Sequence, residues 1–257
     1  MKPEINELTN FLADYADMLS GVGAYNARVI RCVKRIASHY GYNASIFILI
    51  KFINLTVSNK ENPEIRKSFI KDATQKEINL ETISDLSALS WAVGDEDLSL
   101  KEAKEIYQKI IAKKKRNILI TFALTSIAFG AFCRLFGGDI FGVIFVIFGT
   151  FCGVLSKFLL NLKKVDIRIT YIFCAFISSF IAYLGYKFGF SKTPEASISS
   201  SILYLFPGIA LINSMFDILD KNVLIGLSRA VNATILILCM SIGIYITLSL
   251  VDFGLIS

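Results

Sequence analysis

Residues 204–229 read YLFPGIALINSMFDILDKNVLIGLSR, and the rest of the chain is organised around this stretch. It is apolar enough to sit in lipid, yet it holds Pro207-Gly208, Asn213, Asp217 and Arg229, residue types that a bilayer interior excludes unless they are used. A proline cannot donate to the carbonyl four residues back, here that of Leu203, and its ring presses on that carbonyl, so the helix should kink or divide near Phe206. A helix that restarts after Gly208 presents free N–H groups and a positive dipole end, which suit a carboxylate; the half that stops leaves carbonyls, which suit cations. Discontinuous helices of this kind hold substrate in secondary transporters. The bland alternative is a kinked packing helix whose proline is tolerated by its neighbours.

Outward from this stretch, composition agrees. The chain has 257 residues, 54% hydrophobic, with 21 Phe, mean hydropathy +0.58 and 19% charged residues, against about 25% charged in soluble domains. The sequence is that of a membrane protein. Most Lys and Arg precede residue 117, so the net charge of +6 is a property of one segment rather than a nucleic-acid footprint. Five cysteines are scattered singly without metal or disulfide spacing, and the lone His39 leaves no histidine cluster. No metal or cofactor is expected. Ser38 and His39 are set in no catalytic motif, so no enzyme activity is expected either.

Residues 1–116 are polar and 117–257 apolar, which predicts two domains: a cytoplasmic α+β domain and a transmembrane domain. In the first, Ile5, Leu8, Leu12, Tyr15 and Leu19 recur at helical spacing until Gly21 and Gly23. A second helix is expected over 24–40, with Val29, Val33 and Ile36 inward and Arg28, Arg31, Lys34 and Arg35 outward, either as a solvated face or against anionic headgroups. The β-branched and aromatic runs 44–57 and 64–70 predict a small sheet. Helices are expected over 78–92 and 99–112, with 94–97 (GDED) as a loop and Ser99 with Glu102 forming a capping box. The N-terminal MKPEINELTNFLADYADML is acidic and periodic, unlike a cleavable signal peptide.

Five apolar stretches follow, 118–136, 140–160, 169–188, 198–219 and 223–251, each near the roughly 20 residues a crossing needs. The fold class expected is an α-helical polytopic membrane protein with five transmembrane helices. Basic residues at 113–116 (KKKR), at Lys163, Lys164 and Arg168, and at Lys221 mark alternate loops, which places the N-terminus in the cytoplasm and the C-terminus outside; Lys187 and Lys192 run against this pattern. An odd number of crossings would let a similar second unit enter the membrane inverted.

Asn213 and Asp217 share a helix face. With a turn near Asp220 and Lys221, Arg229 lies roughly 13 Å in, near the depth of Asn213, and Asp217 about 5 Å in, so Arg229 can snorkel toward Asp217 and pair with it. The pair is either a structural ion pair or one for whose partners a substrate carboxylate or a proton competes. Arg134 is either an interfacial anchor or part of an exit path. The hydroxyls of Ser197, Ser199, Ser200 and Ser201 serve either that path or helix packing, while Gly130, Gly142, Gly149 and Gly153 are assigned to close helix approach.

Three blocks carry a family resemblance: SGVGAYNARVIRCVKRIASHYG at 20–41, CRLFGGD at 133–139, and LFPGIALINSMFDILDKN at 205–222 followed by GLSR. Through them nearly the whole chain resembles the threonine/serine exporter family, in particular the N-terminal half that some bacteria encode separately, beside a smaller membrane subunit, in a split exporter associated with succinate. The resemblance implies a secondary transporter subunit, set in a bacterial cytoplasmic membrane, exporting small amino acids or dicarboxylates by proton antiport, with Pro207, Gly208, Asn213, Asp217 and Arg229 as the matching residues. It also implies a hetero-oligomer, because the second membrane half is missing here; a homo-oligomer is a further option. The contrasting reading from the residues alone is a non-transporting membrane scaffold or sensor whose cytoplasmic domain binds a partner.

Overall fold

A computed structural model describes residues 2–49, 52–74, 76–113 and 117–252. Of the basic run at 113–116, only Lys113 lies within the described residues. The chain divides into two compact units, one formed by Met1–Lys114 with Ile209–Val231, the other by Lys115–Gly208 with Asn232–Ser257.

The first unit begins with α1 (Ile5–Gly21) and α2 (Asn26–His39), followed by β1 (Tyr42–Ile48), β2 (Phe52–Asn59) and β3 (Arg66–Asp72). The strands form an antiparallel sheet in the order β1-β2-β3, with Tyr42 opposite Asn59 and Phe52 opposite Asp72. Leu8, Leu12, Tyr15 and Leu19 of α1 and Val29, Val33 and Ile36 of α2 are fully buried with Ile53, Leu55 and Val57 of β2. Each such side chain contributes about 1.5–3 kcal/mol on burial. The buried Tyr15 hydroxyl donates to the Leu86 carbonyl at 2.7 Å, fixing α3 (Leu80–Asp95) on the same core. The Asn79 side chain caps α3 by accepting from Thr82 N–H. The GDED loop expected at 94–97 is instead helical through Asp95: buried Val93 anchors the last turn and Glu96 N–H donates to the Ala92 carbonyl, so the turn falls at residues 96–97. The capping box of α4 (Leu100–Ile111) forms, with Ser99 and Glu102 bonded reciprocally. From the C-terminal part of the chain the unit takes most of α9 (Gly208–Leu219) and the first turns of α10 (Val223–Asp252), whose Ile225 joins the core.

The second unit holds α5 (Ile118–Leu135), α6 (Ile140–Leu162), α7 (Ile167–Lys187), α8 (Pro194–Ser201), a 3-10 turn (Leu203–Leu205) and the remainder of α10. Here helices meet where side chains are absent. A methyl at Gly149 would sit 2.8 Å from the Ser178 carbonyl oxygen, and one at Gly153 would sit 2.0 Å from Ser178 Oγ and 2.1 Å from the Tyr204 hydroxyl. Close backbone approach of this kind replaces the hydrophobic drive that lipid does not supply. Ser178 donates to the Gly149 carbonyl at 3.1 Å, and Ser179 meets Thr247 at 2.7 Å.

Four helices among the described residues, 118–135, 140–162, 167–187 and 223–250, are long and apolar enough to cross a membrane; the count is five if Pro194–Leu205 and Gly208–Leu219 make one broken span. The expected fourth stretch is thus interrupted: Phe206 and Pro207 lie outside any helix and α9 begins at Gly208.

Candidate functional site

Within the first unit, the polar residues of α9 and α10 converge on one short turn, residues 23–26, between α1 and α2. Gly23 has φ +99°, which a glycine adopts without strain, and its carbonyl accepts from Asn213 Nδ2 at 2.7 Å. The first residue of α2, Asn26, donates its N–H to Asp217 Oδ1 at 2.7 Å. Tyr25 occupies the N-cap position of α2 and supplies no side-chain bond, and the carboxylate of Asp217 satisfies one of the first-turn N–H groups that have no partner within the helix. Arg229 Nη2 reaches the Ala24 carbonyl at 3.3 Å and Asn26 Oδ1 at 3.4 Å.

The charges meet there. Arg229 Nη1 lies 2.8 Å from Asp217 Oδ2, with Asp217 fully buried and the Arg229 side chain 18% exposed. Neither of these two atoms has a directed hydrogen bond among the described residues, so their contact is ionic and each depends on the other. Beside them, α9 and α10 are pinned by Ser214, whose hydroxyl donates to the Gly226 carbonyl at 2.7 Å, and the connecting turn at Lys221 has φ +65°. Tyr25 packs its ring on Phe216 at 5.4 Å and carries Arg28 and Arg31 over its faces. Part of the basic face of α2 is therefore tied to an aromatic anchor. Asn26 also lines a cavity of about 110 Å³ with residues 46–49 and 221–225.

The structure thus brings Asn213, Asp217 and Arg229 together and adds Gly23, Ala24 and Asn26, which the sequence reading had not connected to them. The available signal was α2's missing cap. Pro207 and Gly208 mark the break before α9 and belong to the other unit.

In that unit, Arg134 is exposed and donates to the Gly138 carbonyl at 2.9 Å, closing the end of α5. Asp139 caps α6 through Gly142 N–H and also accepts from Ser191, Thr193 and the Lys192 N–H. Burial works to raise its carboxyl, but these four donors overcome it and hold the group below the ordinary carboxylate range. Ser200 and Ser201 are fully buried, and Ser201 Oγ donates to the Ile198 carbonyl within its own helix. Ser199, by contrast, lines an open cavity of about 630 Å³ with Phe136, Gly137 and residues 192–196. No group of three or more His, Cys, Asp or Glu side chains is placed to hold a metal among the described residues.

Residues 10–251 match the family model described as "Putative threonine/serine exporter". Two curated relatives, from Klebsiella aerogenes and from Escherichia coli K12, both carry the name "Probable succinate transporter subunit YjjP". Each is 22% identical over 216 residues, spanning 84% of this chain and 79% and 80% of the respective relative. No solved structure matches the chain.

Proposed function

Because the chain belongs to the threonine/serine exporter family, we propose that it is one subunit of a proton-coupled exporter for small carboxylate-bearing metabolites, threonine and serine ahead of dicarboxylates, completed by a second small membrane subunit. The relatives named as subunits support the need for a partner. The reading places the N-terminus in the cytoplasm and the C-terminus outside, following the basic loops.

The observation that carries the proposal is the buried contact of Asp217 with Arg229. An ionised pair in an apolar segment is retained against a large desolvation penalty, and its two charges are the complements of an amino-acid zwitterion. A substrate carboxylate competes with Asp217 for Arg229, and the substrate ammonium with Arg229 for Asp217. Asn213, one turn before Asp217 on α9, supplies an amide to the same cluster. Pro207 and Gly208 interrupt the chain so that α9 restarts as a separate element, while Arg134, Ser200 and Ser201 belong to the outward path. A dicarboxylate lacks the ammonium and meets repulsion at Asp217, so its passage requires a proton on that carboxylate. Proton coupling follows from the same residue.

A scaffold or sensor is favoured by one feature: all three polar side chains already have partners in the 23–26 turn, as a fixed joint would. Efflux of labelled threonine and succinate from cells co-expressing the chain with its small membrane partner separates the two readings. Arg229→Ala is expected to abolish export of both substrates. Asp217→Asn, which keeps an oxygen for Asn26 but loses the charge, is expected to reduce threonine export far more than succinate export. Unchanged export of every substrate by Arg229→Ala, at equal membrane abundance, would discard the site.

A further inference from the structure

The outward face of the small sheet changes character along its length. Antiparallel pairing sets its residues in rows: Asn43, Ser58 and Arg66, then Ser45, Thr56 and Ser68, then Phe47, Asn54 and Ile70, and last Phe52 with Asp72. The first two rows are polar, with Thr56 and Ser68 hydroxyls 2.9 Å apart. The last two hold Phe47, Phe52 and Ile70, exposed by 53%, 39% and 68%. A sheet covered on one face and open to water on the other would keep all four outward rows polar. Half of this face does not.

The apolar end is the end that meets the start of α10. Residues 46–49 share the lining of one cavity with residues 221–225, and a candidate membrane-crossing segment begins at Val223. Val223, Leu224 and Leu227 are themselves 52%, 72% and 57% exposed, so the exposed apolar surface of the crossing helix runs on to the end of the sheet. The exposed Lys221 stands at this level, where an ammonium meets phosphate headgroups. The polar rows and Arg66 point toward the opposite end, into water.

We propose that the β1–β2 end of the sheet is an interfacial foot, with Phe47, Phe52 and Ile70 seated in the headgroup and upper acyl region of the bilayer that α10 crosses. Aromatic and aliphatic side chains on a polar element are the composition of a segment that lies in an interface without spanning it. The occupant is lipid because the apolar rows share a cavity lining with the start of α10, where the exposed Val223 and Leu224 continue the apolar surface into a candidate membrane crossing and Lys221 sits beside them as a basic residue at a crossing's end. The foot fixes the depth and tilt of the first unit against the bilayer. It rests on α10 being a membrane crossing.

Trp91 is the only tryptophan in the chain, lies on α3 and is 56% exposed, so tryptophan fluorescence can test the foot directly. The full chain is reconstituted in liposomes containing phospholipids brominated near the top of the acyl chain. In a Trp91→Phe background, Phe47→Trp and Phe52→Trp are expected to lose most of their emission. Ser45→Trp, on the polar row, and native Trp91 in the unsubstituted chain are expected to keep theirs. Leu238→Trp, in mid-α10, is the control for the crossing and must be quenched by deeply brominated lipid. Quenching at Leu238→Trp without quenching at 47 and 52 above the Trp91 level would overturn the foot alone; no quenching at Leu238→Trp would remove the crossing and the foot together. Quenching at 47 and 52 that vanishes when the small membrane subunit is co-reconstituted would reassign the patch to that subunit and also overturn the proposal.

Discussion

Asp217 and Asp139 do the same geometrical work in the two units, and their surroundings differ in kind. Each accepts an N–H at the start of a helix, Asp217 from Asn26 of α2 and Asp139 from Gly142 of α6. Asp139 caps its own helix and gathers its remaining bonds from neutral donors at residues 191–193. Asp217 comes from a segment about 190 residues away in sequence, is fully buried, and leans on a cation. The first arrangement is complete with dipoles alone. The second contains a full charge on each side, and full charges in apolar surroundings carry a desolvation penalty that dipoles do not, which makes such a pair a candidate for function. That contrast is why we propose the exporter site at Asp217 and a structural role for the Asp139 cluster.

The strongest way to break the contrast is to take the charges away one at a time and then together. Removing one partner of a buried pair costs about 3–5 kcal/mol, whereas replacing both by apolar residues of similar size is often neutral or stabilising. Asp217→Leu and Arg229→Met are therefore each expected to lower the melting temperature of the purified protein by several degrees, and the double variant to recover most of it. If the pair is a joint, the double variant also recovers export with the partner subunit. If the pair is the site, it folds and does not export. A double variant that is both stable and active would move the substrate site elsewhere.

A smaller effect sharpens the comparison from the side of the second unit, where helices are joined by approach rather than charge. Gly153→Ala places a methyl 2.0 Å from Ser178 Oγ and 2.1 Å from the Tyr204 hydroxyl, so both side chains must shift and the hydrogen bond between them is disturbed. Overpacking of this order costs about 1–3 kcal/mol, less than an orphaned buried charge. Thermal unfolding in nanodiscs is expected to rank Gly153→Ala between the wild type and Arg229→Met. A neutral result would mean that Tyr204 can rotate out of the helix contact.

How much of this was legible follows from the range over which each signal acts. Helical spacing of Leu8, Leu12, Tyr15 and Leu19, the Ser99–Glu102 box and the break at Pro207 are local, set by neighbours within about four residues, and all three are visible in the sequence. The GDED run misled because Gly94 and three acids look like a loop, while the buried Val93 beside them holds the last helical turn in place. The pairing of Asp217 with Arg229 was within reach, since a two-helix hairpin fixes relative depth. Its third partner was not. Nothing periodic links Asn213 to Gly23 or Asp217 to Asn26 across about 190 residues, and only the empty N-cap at Tyr25 hinted that α2 draws its cap from elsewhere.

The smallest expected effect concerns Asp139, and it separates the two carboxylates by pH. Its folded carboxyl is held below the ordinary range by four hydrogen bonds, so it contributes stability that is fully present above that range and is lost as pH falls through the folded value. Acidifying detergent-solubilised protein should therefore lower its melting temperature below the ordinary carboxylate range, and Asp139→Asn should flatten that limb. The amide can still accept from Gly142 N–H, but it turns an N–H₂ toward a neighbouring donor, so the variant starts less stable at neutral pH and changes less with acid. Export should hardly change, because its neutral donors release nothing a substrate could use. An Asp139→Asn variant that lost export while keeping its melting profile would collapse the distinction between the two carboxylates and give the Asp139 cluster a part in transport.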